Sequence, residues 1–457
     1  MAEIFLYNSL SKSVEEFEPL VEGRVGMYHC GPTVYDDVHI GNLRAFFLAD
    51  ILRRTFEWNE YEVTQVMNIT DVGHLSDDGD HGDDKMTRAL KRENKTITLE
   101  AMLELATKYQ ERFMADLEKL HIQMPHHVPR ASEHIAENID IIEKLFEQGY
   151  AYETSDSIYF DTEKYPEYGQ LGLPPIDESQ SRTGVNEEKK NPRDFALWKK
   201  DENLGWPSPW GQGFPGWHIE CSGMSQKYLG AHFDIHTGGI DLKPTHHNNE
   251  IAQSVCCSNT PFVNYWLHNE HLSLSSGKMS KSEGNSITLN TLIEEGFHPL
   301  DYRYWLLQSS YRTKTDFSLE SLKAAQTARK RLTAHMDIEL LDDIDFSQTN
   351  YVDRFTKAIS NDLGTPEALS IAWEVAKDEE LSKLVRGAIL KHFDRVLGIH
   401  EIIENVSIPA VVAKLVEERE EARARGNWDE ADALRNEIST HGFKVLDSEA
   451  GSLVEPL

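Results

Sequence analysis

Apolar residues recur between Leu43 and Arg54 as Leu43, Phe46, Phe47, Ala49, Ile51 and Leu52, a broad stripe that predicts a buried helix. Before it, Arg24 to His29 reads as an extended segment that runs into the turn Cys30-Gly31-Pro32. After it, Glu62 to Asn68 is half apolar and rich in β-branched residues, which predicts a second strand. Strand, helix, strand is the beginning of a parallel, nucleotide-binding sheet. Further along, Thr98 to Leu120 and Ser132 to Gln148 read as helices, and Tyr150 to Asp161 as a hairpin. Tyr165 to Pro215, rich in Pro, Gly and charge, reads as part of an insertion in the sheet domain. Phe233 to His236 is another short strand, ending at Thr237-Gly238-Gly239. From Ser318 onward the pattern is helical. Near the end, Asn427 and Glu430 predict an N-cap pair before Ala431 to Ser439, Gly442 a stop, and Phe443 to Leu446 a strand.

Composition narrows the class. A chain of 457 residues suggests about three domains. Four cysteines make no disulfide framework, and no apolar run reaches the roughly 18 residues of a membrane span. No secretory signal is visible at the start, so a cytoplasmic protein with reduced thiols and no membrane partner is expected. Lys plus Arg is 46 against 77 Asp plus Glu, a formal net charge of −31. That acidity argues against generic nucleic-acid binding and leaves any RNA contact to local patches. One such patch is residues 312 to 331, where Arg312, Lys314, Lys323, Arg329, Lys330 and Arg331 face only Asp316 and Glu320.

Three constellations carry chemistry. His-Ile-Gly-Asn at His39 to Asn42 sits between the first strand and its helix. A helix N-terminus offers free N–H groups and partial positive charge, and Gly41 permits close approach of a base or phosphate. A plainly capped helix is the blander account of this tetrapeptide. Lys-Met-Ser-Lys-Ser at Lys278 to Ser282, flanked by Gly277 and Gly284, makes a cationic loop suited to a triphosphate whose pyrophosphate must leave. The third set is Cys30, Cys221, His246 and Glu250. His246 and Glu250, four apart, share a helix face, and two thiolates, an imidazole and a carboxylate satisfy tetrahedral zinc. On spacing alone that signal is weak. A lone buried cysteine is more often a small hydrophobe, and His247 competes with His246 for the ligand role.

The first two motifs, in this order and separation, resemble the paired signatures of class I aminoacyl-tRNA synthetases. Longer stretches resemble the cysteinyl-tRNA synthetase family: M-Y-H-C-G-P-T-V-Y-D-D-V-H-I-G-N from Met27, G-W-H-I-E-C-S from Gly216, H-F-D-I-H-T-G-G-I-D-L from His232 and T-H-H-N-N-E-I-A-Q-S from Thr245. So do N-P-R-D-F-A-L-W-K from Asn191 and N-D-L-G-T-P-E-A-L from Asn361.

The resemblance implies an α/β fold: a Rossmann-like parallel-sheet catalytic domain with an insertion, then an all-α helical bundle and a small C-terminal anticodon-binding module. The expected boundaries are 1–120 with 216–265 for the two catalytic halves and 121–215 for the insertion. A K-M-S-K-S domain at 266–315, a bundle at 316–405 and a terminal module at 406–457 complete the division. The implied zinc ligands, one ion per chain, are Cys30, Cys221, His246 and Glu250. Thr33, Thr70, Trp217 and His236 would bind cysteine. His39, Gly41, Asn42, Asp241 and Lys281 would bind ATP with its Mg2+. His39, Asn42, Lys278 and Lys281 would carry catalysis. The implied partners are tRNA(Cys), L-cysteine and ATP, and a monomer is expected.

The chain departs from the family pattern in places. Asn42 replaces the second histidine of the usual H-I-G-H, although an amide also donates a hydrogen bond. The loop after Asp71 is longer than in many members, and the tail Asp447 to Gly451 departs from the usual ending. Cys256 and Cys257 read as packing residues, the acidic run Asp77 to Asp84 as a solvated loop, and Trp428 as a possible base reader. Two other readings remain open: a cysteine ligase of the same fold with an amino-sugar acceptor, and a zinc-stabilised RNA-binding protein without catalysis.

Overall fold

The structure, a computed structural model, describes residues 2–72, 85–173, 188–274, 277–278, 287–336, 349–401, 409–448 and 451–456. The chain divides into two compact units, Met1–His400 and Glu401–Leu457.

The first unit opens with a hairpin, β1 (Phe5–Asn8) and β2 (Ser13–Glu16). Then follow β3 (Arg24–His29), α1 (Ile40–Trp58) and β4 (Glu62–Met67), the unit predicted from the apolar pattern. The helix runs longer than its apolar stripe because His39 and Asn42 cap it one turn earlier. After α2 (Lys85–Arg92) and α3 (Leu99–Lys119, capped by Thr98) comes α4 (Ile135–Glu147). The predicted hairpin is β5 (Ala151–Glu153) and β6 (Ser157–Phe160). It continues into β7 (Phe195–Lys200) and β8 (Gly213–Pro215), so a four-stranded antiparallel sheet, β5-β6-β7-β8, lies between α4 and the next helix. The Pro- and Gly-rich composition concealed those last two strands.

Next are α5 (Trp217–Leu229), β9 (Phe233–Gly239), α6 (Asn248–Ser258) and β10 (Val263–Asn269). The central sheet is ordered β10-β9-β3-β4 and every pairing is parallel. Because β3 lies between β9 and β4, the chain leaves β3 at a reversal of strand order. Such a point opens a crevice at the carboxyl ends of the strands, where α/β sheets bind ligands. A smaller sheet follows, from β11 (Leu272–Leu274), β12 (Gly277–Lys278) and, beyond α7 (Leu289–Glu294) and α8 (Pro299–Leu307), β13 (Thr315–Phe317). Helices α9 (Leu319–Thr333), α10 (Tyr351–Ser360), α11 (Thr365–Lys377) and α12 (Lys383–Leu397) complete the unit.

Two buried arginines lock these layers. Arg44 of α1 donates to the carbonyls of Glu270, His271, Ser310, Tyr311 and Thr313, at 2.7–3.3 Å. Arg303 of α8, fully buried, meets Asp50 of α1 at 2.7 Å and donates to the carbonyls of Leu397, Leu120, His121 and Val396. Gly398 ends α12 in the left-handed region at φ +61, and a Cβ there would lie 2.8 Å from the Arg303 guanidinium.

The second unit contains α13 (Ala410–Ala424), α14 (Trp428–Thr440) and the antiparallel hairpin β14 (Phe443–Ser448) and β15 (Gly451–Pro456). Val412, Leu415, Ile438, Phe443 and Val445 form its core. Asn427 is the residue before α14, but its side chain donates to the Glu430 carboxylate at 2.7 Å and accepts no backbone N–H. The predicted pair therefore exists as a side-chain bond, not a cap. Strand β15 was not foreseen.

Candidate active site and metal centre

The site lies at the carboxyl edge of the parallel sheet, around the end of β3. Gly31 N–H donates to Asn68 Oδ1 at 2.9 Å, and a Cβ at Gly31 would stand 1.6 Å from the Asn68 carbonyl oxygen. Only glycine allows the chain leaving β3 to pass so close to the chain leaving β4. Val34 N–H then bonds the Thr70 carbonyl, and Thr70 N–H the Pro32 carbonyl, both at 3.1 Å, which joins Thr33 and Thr70 in an isolated bridge. The Thr70 hydroxyl is held between Asn68 Nδ2 and Glu220 Oε2, each at 3.2 Å.

His39 and Asn42 form a reciprocal cap. His39 Nδ1 accepts from Asn42 N–H at 3.1 Å, and Asn42 Oδ1 accepts from His39 N–H at 3.3 Å. Because its Oδ1 is turned to the backbone, the exposed Asn42 amide carries its other polar group, the Nδ2 donor, away from the cap. The chain that follows the second signature runs beside the first from Ile287 onward. Ile40 N–H donates to the Ile287 carbonyl at 2.8 Å, and His39 bridges Thr288. On its entering side, Lys278 pairs with Ser273 across β11 and β12. The side chain of Lys278, and Lys281 altogether, lie outside the described residues. So does the acidic run Asp77 to Asp84. Asp241 stands exposed in the turn after β9, with Oδ1 2.3 Å from where a Cβ on Gly239 would be.

The four sulfur, nitrogen and oxygen donors come together. Ligand atoms of Cys30, Cys221, His246 and Glu250 all lie within 4.8 Å of one another, and all four residues are buried. Cys30 follows β3, and Cys221 lies in α5. His246 belongs to a wide π-helical turn, Lys243–His247, that leads into α6, where Glu250 occupies the first turn. Such turns inside helices concentrate at functional sites. His246 Nε2 stands 3.0 Å from Glu250 Oε1, and its Nδ1 is 2.9 Å from His218 Nδ1.

Burial would raise the Cys221 thiol, but the hydrogen bond it accepts from the Cys30 thiol and the nearby His246 bring it down to about 6. Burial would likewise raise Glu250, yet His236 and His246 hold it at about 2. Burial opposes the charge on His246, while Glu250 and Cys221 lift it to about 10. Burial and the hydrogen bond with Cys221 push the Cys30 thiol up, so the negative charge sits on Cys221 and Glu250, with His246 protonated between them, where a divalent cation would fit. Two soft sulfurs with one imidazole and one carboxylate suit zinc chemistry.

Two of the expected pocket residues, Trp217 and His236, contact this cluster. The half-buried Trp217 ring lies 4.4 Å from that of His246. His236 is wholly buried, stacked on Trp266, with Nε2 2.9 Å from Glu250 Oε2. Its Nε2 thus faces a cluster ligand. Sequence reasoning missed His218, Asn68 and Glu220, and gave His247 only as a competitor. The signals were present, in the double histidine after Thr245 and the polar N-I-T-D run after β4. Cys256 and Cys257 are buried in the core, and burial pushes the Cys256 thiol up to about 12, as packing residues require. In the basic patch, Arg329 turns inward onto Asp301 at 2.7 Å and Arg312 pairs with Asp362. Lys314, Lys323, Lys330 and Arg331 remain exposed.

Comparison with known proteins accords with this geometry. A family described as the class I (C) tRNA synthetase catalytic domain matches residues 16–327, and the cysteinyl-tRNA ligase anticodon binding domain matches residues 405–452. The cysteine–tRNA ligase 1 of Burkholderia lata is 43% identical, covering 98% of this chain and 95% of its own. The cysteine–tRNA ligases of Treponema denticola and Thermus thermophilus are each 39% identical, covering 98% of both chains. A methionyl-tRNA synthetase of Mycobacterium tuberculosis, solved with methionyl-adenylate, shares the fold alone, with TM-score 0.55 at 13% identity over 82% of this chain and 90% of that one. With a shared sheet edge, paired signatures and likeness along nearly its whole length, the chain belongs to the cysteine–tRNA ligase family of class I tRNA synthetases.

Proposed function

We propose that the chain ligates L-cysteine to tRNA(Cys) at the expense of ATP. In the first step the cysteine carboxylate attacks the α-phosphorus, forming cysteinyl-adenylate and releasing pyrophosphate. In the second, a hydroxyl of the terminal adenosine takes the acyl group and AMP leaves. No side-chain nucleophile is needed, so catalysis is positioning plus charge stabilisation. The single observation that carries this reading is the buried two-thiol, imidazole and carboxylate cluster at the end of β3, beside the capped H-I-G-N turn.

Cys30, Cys221, His246 and Glu250 would hold one zinc ion. When bound, the ion supplies preference for a thiolate over an alcohol, where an apolar pocket alone discriminates an added hydroxyl by only about 10²-fold. Thr33, Thr70 and Trp217 border the amino acid in this reading, and His236 orients Glu250. The N-terminus of α1, with Gly41 and the outward amide of Asn42, receives the nucleotide, and Asp241 its ribose. Lys278 and Lys281 neutralise the triphosphate, which arrives with Mg2+. Residues 1–120 and 216–265 carry activation in this reading, and 121–215 is an insertion. Residues 266–315 bear the lysine loop, 316–405 the bundle, and 406–457 the anticodon module. Lys314, Lys323, Lys330 and Arg331, outside that module, are phosphate-facing cations in this reading, and exposed Trp428 within the module is a stacking platform for an anticodon base. A cytoplasmic monomer completes the proposal.

Cysteine-dependent ATP–pyrophosphate exchange tests it, with serine as control and before and after chelation. Exchange with cysteine alone, lost on chelation, followed by charging of tRNA, is the expected result. No cysteine-dependent exchange refutes it, and exchange without charging points to a small acceptor.

A further inference from the structure

The cluster contains more ligands than one ion requires. Beside the first four, a second set meets the same criterion: ligand atoms of Cys30, His236, His247 and Glu250 also lie within 4.8 Å of one another, all buried. Cys30 and Glu250 belong to both sets. Glu250 is divided between them, with Oε1 3.0 Å from His246 Nε2 and Oε2 2.9 Å from His236 Nε2. Cys30 Sγ likewise has His247 Nε2 at 3.4 Å and Glu250 Oε1 at 3.8 Å.

The imidazoles of the second set are built as ligands usually are. A metal-binding histidine is backed through its other ring nitrogen, which fixes ring orientation and tautomer. His247 presents Nε2 to Cys30, while its Nδ1 meets His268 Nε2 at 2.7 Å, and His268 Nδ1 meets Ser9 Oγ at 2.8 Å. His236 presents Nε2 to Glu250, with Nδ1 3.3 Å from the Thr237 carbonyl. His246, in the first set, is backed in the same way by His218. A Cβ on Gly238 would lie 2.8 Å from His247 Cε1, so β9 keeps a glycine where that ring needs room. Partners meant only to satisfy Cys30 and Glu250 would not need this backing.

We propose that His236 and His247 are reserve ligands, which with Cys30 and Glu250 form a second, overlapping site for a divalent transition-metal ion. The proposal rests on the metal reading given above. Its consequence is that a ligand private to the first set can yield its place to an incoming thiol without release of the ion. It also ranks the ligands. Loss of a shared residue removes both sites, whereas loss of Cys221 or His246 leaves one.

The test uses the full chain, stripped and reloaded with Co2+, whose thiolate charge-transfer absorption counts sulfur donors. Wild type should bind one equivalent with two thiolates. Cys221→Ala should still bind one, with roughly half the charge-transfer intensity and an affinity lowered only about 10–100-fold, the scale of a supporting ligand change. Cys30→Ala should bind far more weakly than Cys221→Ala. Adding His247→Gln, which keeps hydrogen-bonding capacity but ligates poorly, should abolish the binding that Cys221→Ala retains, while His247→Gln alone keeps two thiolates. The proposal is overturned if Cys221→Ala, and equally Cys221→Ser as the milder change, binds no cobalt while folded by circular dichroism. It is also overturned if the double variant binds as well as Cys221→Ala. Wild type that binds neither cobalt nor zinc defeats the metal reading itself, a separate outcome.

Discussion

Replacing Arg303 by methionine tests how the sheet domain is held to the helices behind it. The guanidinium is fully buried against Asp50, at 2.7 Å, and four main-chain carbonyls close around it. Asp50 keeps two partners in the variant, Arg54 at 2.9 Å and the Gln123 N–H at 2.8 Å. The carboxylate is therefore not stranded, and the His121 carbonyl keeps Arg54 at 2.6 Å, but the carbonyls of Leu397, Leu120 and Val396 lose this donor. Removing one partner of a buried pair costs roughly 3–5 kcal/mol. In a unit of this length that corresponds to a midpoint lowered by about 4–6 °C. Arg303→Lys should fall between, because it keeps the charge and loses the fork.

The pH dependence follows from Asp50. Burial pushes its carboxyl up, but Arg54 and Arg303 more than offset this and hold it below the usual carboxylate range. A lowered folded value means stability that is complete above the unfolded value of about 3.9 and lost as pH falls through the folded one. The gap between wild type and Arg303→Met should therefore be full at neutral pH and close in acid. Calorimetry from pH 3 to 7 measures both. A variant within about 1 kcal/mol of wild type at pH 7, or a gap that widens in acid, refutes the reasoning.

Four further outcomes are expected. Gly31→Ala drives a methyl into the Asn68 carbonyl, so thermal stability should fall by about 1–3 kcal/mol and pyrophosphate exchange by more than tenfold; unchanged exchange contradicts the packing argument. Asn42→Asp keeps the oxygen that caps His39, so its melting point should match wild type while activation slows at least tenfold. Asn42→Ala should lose about 1 kcal/mol as well. Lys281→Ala should slow activation roughly 10²–10³-fold, the size of one lost transition-state donor, and a wild-type rate removes it from the mechanism. Trp428→Ala should leave cysteine-dependent exchange intact and lower kcat/KM for tRNA about 10–100-fold, as loss of one base stack would, with equal charging of tRNA assigning recognition elsewhere.

The sheet's beginning was legible because its apolar stripe has one period. Leu43 to Leu52 could only be a buried helix, and the flanking strands fell into place around it. The strands β7 and β8 were not, because Gly213-Phe214-Pro215 carries punctuation residues inside a strand whose paired residues, Lys200, Lys199 and Trp198, lie 13–17 positions upstream. The metal ligands illustrate the same limit. Cys30 and Cys221 are 191 positions apart, so spacing says nothing of their meeting, and only likeness to a family joined them. His247 was visible in sequence, but its role depends on a ring contact with Cys30 that no periodicity encodes. Arg329 failed in the opposite direction. A run of cations looks solvated on paper, yet this one turned inward because Asp301 waited in the core.

Arg44 reads no side chain at all. Every group it grips at Glu270, His271, Ser310, Tyr311 and Thr313 is a peptide oxygen, so it dictates the course of those two loops and is blind to their composition. The outer side chains of both loops are therefore open to rewriting, by drift or by a designer, around a fixed rim.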